Sequence, residues 1–177
     1  EVAFVDTLLG RLLRGVDDDT LVILTADHGE SLWEHGERGH GLLVSRGATR
    51  VPLVIRPPGG LSGLEQPEAR PGTSAAFQRP VGVDVDLDLA AVADAPRAAR
   101  VVEVPVSGVD IPITIAAYAG LAPWGDGVDL RPALEGQPFE HGPVFAETFF
   151  PRFHYGWSEL AVVQQGRTRL RVGPGLT

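Results

Sequence analysis

The sequence predicts an α/β fold, and three observations carry that expectation: an amphipathic helix at the start, a short apolar strand after it, and a second such strand further along. Val5, Leu8, Leu9, Leu12 and Leu13 recur at the i, i+3, i+4, i+7, i+8 spacing that lines one face of a helix. Gly15 to Asp19 reads as a turn, and Thr20 to Ala26 is an aliphatic and β-branched run bounded by polar groups. Continuous apolarity over so short a length, beside an amphipathic helix, predicts a buried parallel strand covered on both faces. Val51 to Arg56 repeats the pattern and ends at Pro57-Pro58-Gly59-Gly60, a strong stop for a strand.

Composition narrows the class. With 177 residues and 44% hydrophobic side chains, the chain can bury a core. A formal net charge of -8 argues against nucleic-acid binding, which needs a surplus of Lys and Arg to neutralise phosphates. The absence of Cys excludes a disulfide framework, a thiolate metal site and a Cys nucleophile within these residues. No apolar run reaches the length needed to cross a bilayer, and no basic segment followed by an apolar core opens the chain. The helical pattern begins with the first residues, without a capping residue or an initiator Met, which predicts further sequence upstream.

Past the first strand, Gly29 to Gly47 is rich in Gly, Glu and His and reads as a functional loop. It follows the carboxyl end of a strand, where open α/β sheets bind their ligands. Residues 61–100 turn to Pro, Gly, Ala and Asp with little periodicity, as expected of an insertion or surface excursion, and Val83 to Leu89 alternates like an edge strand. Val101 to Val106 resumes an ordered pattern. Asp110 to Tyr118 predicts a helix with Asp110 as N-cap, Pro112 in the first turn and Gly120 as its stop. Val144 to Glu147, Leu160 to Gln164 and Thr168 to Val172 read as strands, the last two forming a hairpin around Gln165-Gly166.

Several side chains offer chemistry. Asp27 and His28 put a carboxylate and an imidazole side by side at the end of the first strand, and both can reach one divalent cation if the backbone turns there, as Gly29 permits. The plain alternative is that Asp27 caps the next segment while His28 is an ordinary loop residue. His40, in Gly39-His40-Gly41, lies where the loop can fold back over the same strand end and meet the oxygens of a sulfate or phosphate ester; a solvated loop histidine is its alternative. His35, in Glu34-His35-Gly36, is more simply a loop residue. Arg152, His154 and Trp157 form a polar-aromatic cluster that could line a substrate pocket, with Arg152 suited to an anion, although packing explains it equally.

Taken in order, Thr25-Ala26-Asp27-His28-Gly29-Glu30-Ser31-Leu32-Trp33-Glu34-His35-Gly36, then Gly39-His40-Gly41, then Arg50-Val51-Pro52-Leu53-Val54-Ile55 resemble the sulfatase family of the alkaline phosphatase superfamily. Val106 to Ile111 resembles the family's lead into a helix. Phe145 to Thr148 and Pro151 to Leu160 are similar to the C-terminal region of bacterial sulfatase-like proteins. The resemblance covers most of the chain except residues 61–100. It implies an alkaline-phosphatase-like sandwich, a mixed sheet flanked by helices with a small C-terminal β-hairpin region. Residues 1–177 would then be a partial sulfatase-like domain lacking its N-terminal part, and residues 61–100 an insertion.

The same resemblance assigns roles. Asp27 and His28 would hold the metal, usually calcium in sulfatases, and Glu30 would orient a ligand without binding the metal itself. His40 would be the catalytic group in contact with the transferred ester, and Arg152 and His154 would join it in binding substrate. The family's nucleophile, a Cys or Ser converted to formylglycine, is not in this chain and is expected upstream, together with the acidic pair that completes the metal site. Gly47 stands where the family often has an acidic residue.

The implied reaction is hydrolysis of a small-molecule or glycan sulfate ester by attack of hydrated formylglycine on sulfur. The isolated chain would be inactive without the rest of its domain. A phosphoester hydrolase or lipid-headgroup phosphotransferase of the same superfamily, with an unmodified Thr and with zinc or manganese, is one alternative. A non-catalytic half that binds without turnover is another. The resemblance favours a periplasmic, extracellular or membrane-anchored protein.

Overall fold

The apolar repeat at the start forms helix α1, Val2–Leu13. The computed structural model describes residues 2–59 and 100–174, so the expected insertion up to residue 99 and the Val83 to Leu89 alternation lie outside the described residues. Among the described residues nothing buries α1: Val5 is 51% exposed, Leu8 45% and Leu12 66%. Helical periodicity creates the apolar stripe locally, but only a packed neighbour can remove it from water. No helix among the described residues is long and apolar enough to cross a membrane.

Strand β1, Val22–Thr25, follows. The loop after it carries its own small architecture: β2 at Ser31–Leu32, a single turn of 3-10 helix at Glu34–Gly36, β3 at Arg38–Gly39, and a short helix α2 at Arg46–Thr49. Strand β4, Leu53–Arg56, then returns beside β1. The pair is antiparallel, running from Val22 opposite Arg56 to Thr25 opposite Leu53. The expectation of a parallel strand buried on both faces is therefore corrected: β1 runs against its neighbour, and Leu24 and Val54 remain 40% and 58% exposed. An apolar run specifies extended backbone, whereas the direction of the partner depends on how the connecting loop brings the chain back. Asp17 and Asp18 in the turn after α1 accept from Arg56 Nη2 at 3.2 Å and Gly59 N at 2.8 Å, which fastens α1 to the end of β4.

Buried polar groups hold the β1–β4 loop in shape. Glu37, 3% exposed, accepts from the amides of Leu42 and Leu43 at 2.8 and 3.1 Å and from Ser31 Oγ at 3.4 Å. Ser31 and Ser45 share a hydroxyl hydrogen bond of 3.0 Å, and Ser45 caps α2 by accepting from Ala48 N at 3.3 Å. Burial of the carboxylate is tolerable because each of its oxygens has a donor. Gly29 lies against Gly47, and a Cβ on Gly29 would collide with the Gly47 carbonyl oxygen. Gly29 is not in the left-handed region, so its contribution is close backbone approach; the turn expected of it is not what the structure uses.

The second half begins with helix α3, Asp110–Tyr118. Its end is a Schellman motif: Gly120 adopts φ 66°, Leu121 N bonds Ala116 O at 2.8 Å and Gly120 N bonds Ala117 O at 3.4 Å. Ile113 and Ala116 of α3 are buried together with Leu130 and Ala133, the latter in a short helix α4, Arg131–Leu134. Asp110 is the first residue of α3 and makes no capping bond. Its expected N-cap role is corrected, because the carboxylate turns back to Ser107 and across to residues distant in sequence, as described below.

The final elements are β5 at Val144–Thr148, α5 at Phe150–Tyr155, β6 at Leu160–Gln165 and β7 at Thr168–Val172. The expected hairpin closes with Gln165 opposite Thr168, and β5 extends it to an antiparallel sheet in the order β5-β6-β7. Two side chains join this sheet to the loop after β1. Thr148 Oγ1 donates to Gly41 O at 2.5 Å, and Arg169 Nη2 donates to Val44 O at 2.6 Å and Thr49 Oγ1 at 2.8 Å. The C-terminal sheet thus holds the loop that carries His40.

Candidate active site

The site is built on the end of β1 and on the β2–β3 pairing. Asp27 and His28 leave β1 immediately before the chain turns into β2. Ser31 pairs with Gly39 and Leu32 with Arg38, so the next residue, His40, comes to lie over the start of β2. This register stacks the rings of His28 and His40, with centroids 3.6 Å apart and planes inclined by 28°. Residues 12 positions apart in the chain thereby form one surface with Asp27, whose side chain is 87% exposed.

Hydrogen bonding sets which ring atoms face outward. His28 Nδ1 lies 2.8 Å from Gly29 O, and a carbonyl can only accept, so Nδ1 carries the proton. Its Nε2 then presents a lone pair 3.7 Å from Asp27 Oδ2. Two acceptors facing each other across that gap suit a shared cation: with bonds of about 2.0–2.6 Å, both atoms reach one metal ion. A carbonyl that fixes the tautomer of a ligating imidazole is the usual support for such a ligand. Among the described residues no group of three or more His, Asp or Glu side chains is placed to hold a metal ion.

Glu30, assigned to orient a ligand, lies nearest His40: its Oε1 is 3.6 Å from His40 Nδ1. The distance is beyond a hydrogen bond. The glycines on either side of His40 have φ of 102° and 103°, a backbone that favours Gly, and a Cβ on Gly41 would stand 3.4 Å from Phe150 Cγ.

The two remaining substrate-binding candidates lie on α5. His154 stacks on Phe150 with centroids 3.8 Å apart, and its Nδ1 donates to Phe150 O at 3.1 Å. Because Phe150 also packs against Gly41, His154 belongs to the same neighbourhood as His40. Arg152 is turned to Glu159 in an exposed pair of 3.4 Å, so its guanidinium is engaged by a carboxylate.

Sequence inspection missed two groups. Glu37 anchors the backbone that follows His40 and the Ser31 hydroxyl, and only its burial reveals it. His141 meets Asp110 at 3.0 Å through Nε2, and its Nδ1 donates to Gly142 O at 2.8 Å. Both ring nitrogens donate, which describes an imidazolium. Burial opposes that charge, but the Gly142 carbonyl and the Asp110 carboxylate outweigh it and raise the His141 pKa above the ordinary 6.5. The Asp110 carboxylate also accepts from Ser107 N at 2.6 Å and Val128 N at 2.9 Å. Nothing in the sequence joins positions 31 apart, and no local motif signals the pair.

The fold is that of the alkaline-phosphatase-like hydrolases. The chain matches a phosphonate monoester hydrolase from Silicibacter pomeroyi with a TM-score of 0.63 and 25% identity, over 96% of this chain and 30% of that one. The sulfatase family model matches residues 1–121, and the chain belongs to the sulfatase family. It is 31% identical to the uncharacterized sulfatase YidJ of Escherichia coli, over 48% of this chain and 22% of that protein. Identity to the choline-sulfatase of Rhizobium meliloti is 27%, over 76% of this chain and 21% of that protein. With human iduronate 2-sulfatase it is 41%, over 38% of this chain and 13% of that protein. The chain spans about a fifth of the length of the first two relatives. The family match contains Asp27, His28 and His40 and stops before Arg152 and His154.

Proposed function

We propose that this chain supplies part of the active site of a metal-dependent sulfatase that hydrolyses small-molecule or glycan sulfate esters. The observation that carries this reading is the stack of His28 on His40 beside Asp27, two potential ligands and one ester-contacting group on a single exposed surface at the end of β1. Asp27 Oδ and His28 Nε2 hold the divalent cation, calcium in the sulfatase reading. When bound, that ion neutralises the ester oxygens. The Gly29 carbonyl keeps the His28 lone pair directed outward. His40 contacts the ester, with Glu30 holding its Nδ1 edge, and His154 and Arg152 contribute to substrate binding, Arg152 by exchanging Glu159 for the anion.

The nucleophile, formylglycine in this reading, and the further metal ligands come from the rest of the domain, since no Cys and no Ser-x-Pro-x-Arg sequence is present here. The purified chain is expected to turn over no aryl sulfate. Measurable hydrolysis of nitrophenyl sulfate by the chain alone would overturn that division of labour. For the ligands, calorimetric titration with calcium compares the protein with its Asp27→Ala variant, in the presence of the rest of the domain. Loss of binding in the variant is expected, and equal binding rejects Asp27 as a ligand.

The likeness to a phosphonate monoester hydrolase over nearly the whole chain favours one second reading, a phosphoester-type hydrolase or phosphotransferase of the same superfamily. Zinc or manganese and an unmodified Thr nucleophile belong to that reading. Parallel assays on aryl sulfate and aryl phosphate diesters, each with calcium, zinc and manganese, separate the two.

A further inference from the structure

A cleft of about 930 Å³ opens between the β1–β4 pair and the C-terminal sheet, lined along one side by the segment Val101 to Gly108. Leu53 of β4, Val144 of β5 and Val162 of β6 give it apolar walls. Arg46 and Arg50, at the two ends of α2, and Arg167 and Arg169, on the β6–β7 hairpin, give it four guanidinium groups. Glu103 is the one carboxylate among the described lining residues. Asp27, His28 and His40 do not line the cleft, so the ester-hydrolase reading leaves these cations unexplained.

Carboxylates are plentiful in a chain with a formal net charge of -8. Elsewhere they meet the arginines, Asp129 reaching Arg131 at 2.8 Å and Glu159 reaching Arg152 at 3.4 Å. Among the described residues none forms an ion pair with Arg46, Arg50, Arg167 or Arg169. A concave surface with apolar walls and charges of one sign focuses its field and concentrates ions of the other sign.

Arg169 gives this field a fixed centre. Its Nη2 is committed to Val44 O at 2.6 Å and Thr49 Oγ1 at 2.8 Å, which holds the guanidinium in place. Its Nε and Nη1 have no acceptor among the described residues. Burial, with Arg171 and Arg46 nearby, pushes its pKa below the ordinary value, as befits a cation crowded by cations. A planar fork of donors held by packing suits the oxygens of an anion, which it can meet through two parallel hydrogen bonds.

We propose that this cleft is a binding site for a multiply charged oxyanion of the phosphate or sulfate type, held by Arg169 with Arg46, Arg50 and Arg167 around it. Several guanidinium groups facing one carboxylate call for more than a single negative charge. Arg169 also holds Val44 and Thr49, in the loop that carries His40, so a bound anion bridging Arg46 and Arg169 ties that loop more firmly to the hairpin. The site does not depend on the reaction proposed above.

Pyrophosphate and sulfate are the probes, titrated calorimetrically into the chain together with the rest of its domain. EDTA and an Asp27→Ala background keep bound metal out of the measurement. Saturable binding of at least one probe, at least tenfold tighter than that of acetate, is expected, and the tighter of the two identifies the type of oxyanion. Binding should weaken steeply with added potassium chloride. Arg46→Gln and Arg167→Gln alter exposed side chains with no hydrogen bond among the described residues, so both variants should fold, and combined they should weaken binding at least tenfold. Arg14→Gln removes an exposed charge outside the cleft and should leave affinity unchanged. The bound probe should also raise the melting temperature of the Asp27→Ala protein and not that of the protein carrying Arg46→Gln and Arg167→Gln as well. Absence of binding by both probes, undiminished affinity in the combined variant, or an equal loss in Arg14→Gln overturns the proposal.

Discussion

Asp27 and His28 stand side by side at the end of β1 with side chains 87% and 44% exposed, whereas Asp110 and His141 meet across 31 positions at 3.0 Å with side chains only 1% and 8% exposed. In the buried pair each ring nitrogen has an acceptor, and the carboxylate accepts from three donors. In the exposed pair Asp27 Oδ1 accepts from the His28 amide at 3.0 Å, while Asp27 Oδ2 and His28 Nε2 stand 3.7 Å apart. The same two residue types therefore serve different ends. Desolvated and bonded to each other, they tie loops to a helix; exposed, they leave Asp27 Oδ2 and His28 Nε2 open to solvent.

The sharpest way to break that contrast is to remove one carboxylate from each pair. Asp110→Ala leaves an imidazolium and two backbone amides without their acceptor, and a loss of about 3–5 kcal/mol in urea denaturation is expected. Asp27→Ala should change the same measurement by less than about 0.5 kcal/mol, as befits an exposed side chain. Comparable losses in the two variants would show that the exposed pair is structural after all.

Next in size is Gly29→Ala. The added methyl collides with the Gly47 carbonyl beside the Gly29 N to Ala48 O hydrogen bond, and overpacking of this kind costs about 1–3 kcal/mol. Thermal unfolding should show the loss, and an unchanged melting temperature would mean that the backbones part without penalty.

The buried pair also carries a pH signature. The folded state raises the His141 pKa above 6.5, so it binds the proton more tightly than the unfolded chain does. The stability this contributes is fully present below the unfolded value of 6.5 and is lost as pH rises through the raised folded value. Denaturation midpoints measured across that window should fall with rising pH, and His141→Asn should flatten this part of the profile. A native profile that rises there would reverse the assigned sign.

The smallest effect concerns Arg152. Its exposed pair with Glu159 at 3.4 Å should be worth less than about 1 kcal/mol, so Arg152→Ala is expected to leave stability nearly unchanged. If Arg152 binds substrate, the same variant, assayed together with the rest of the domain, raises KM for the ester severalfold with little change in kcat. Unaltered KM would confine Arg152 to the surface pair.

Much of the fold was legible because its signals are local. The i, i+3, i+4 repeat of α1, the stop at Gly120 and the hairpin at Gln165-Gly166 each depend on residues within one or two turns of chain, where backbone preference and side-chain periodicity act directly. Asp27, His28 and His40 were legible as a pattern of residue types, without their geometry. The direction of β4 was not legible, because an apolar run specifies extended backbone and says nothing of which way its neighbour runs.

By itself the sequence determined the α/β class, the main elements and the residues with the chemistry to form a site. Only the tertiary structure decided that His28 stacks on His40, that Glu30 lies by His40, that Glu37 is consumed in holding the loop and that Asp110 meets His141 instead of capping α3. The physical reason is that propensity acts between near neighbours, whereas stacking, desolvation and ion pairing arise when strand register and packing bring distant side chains together.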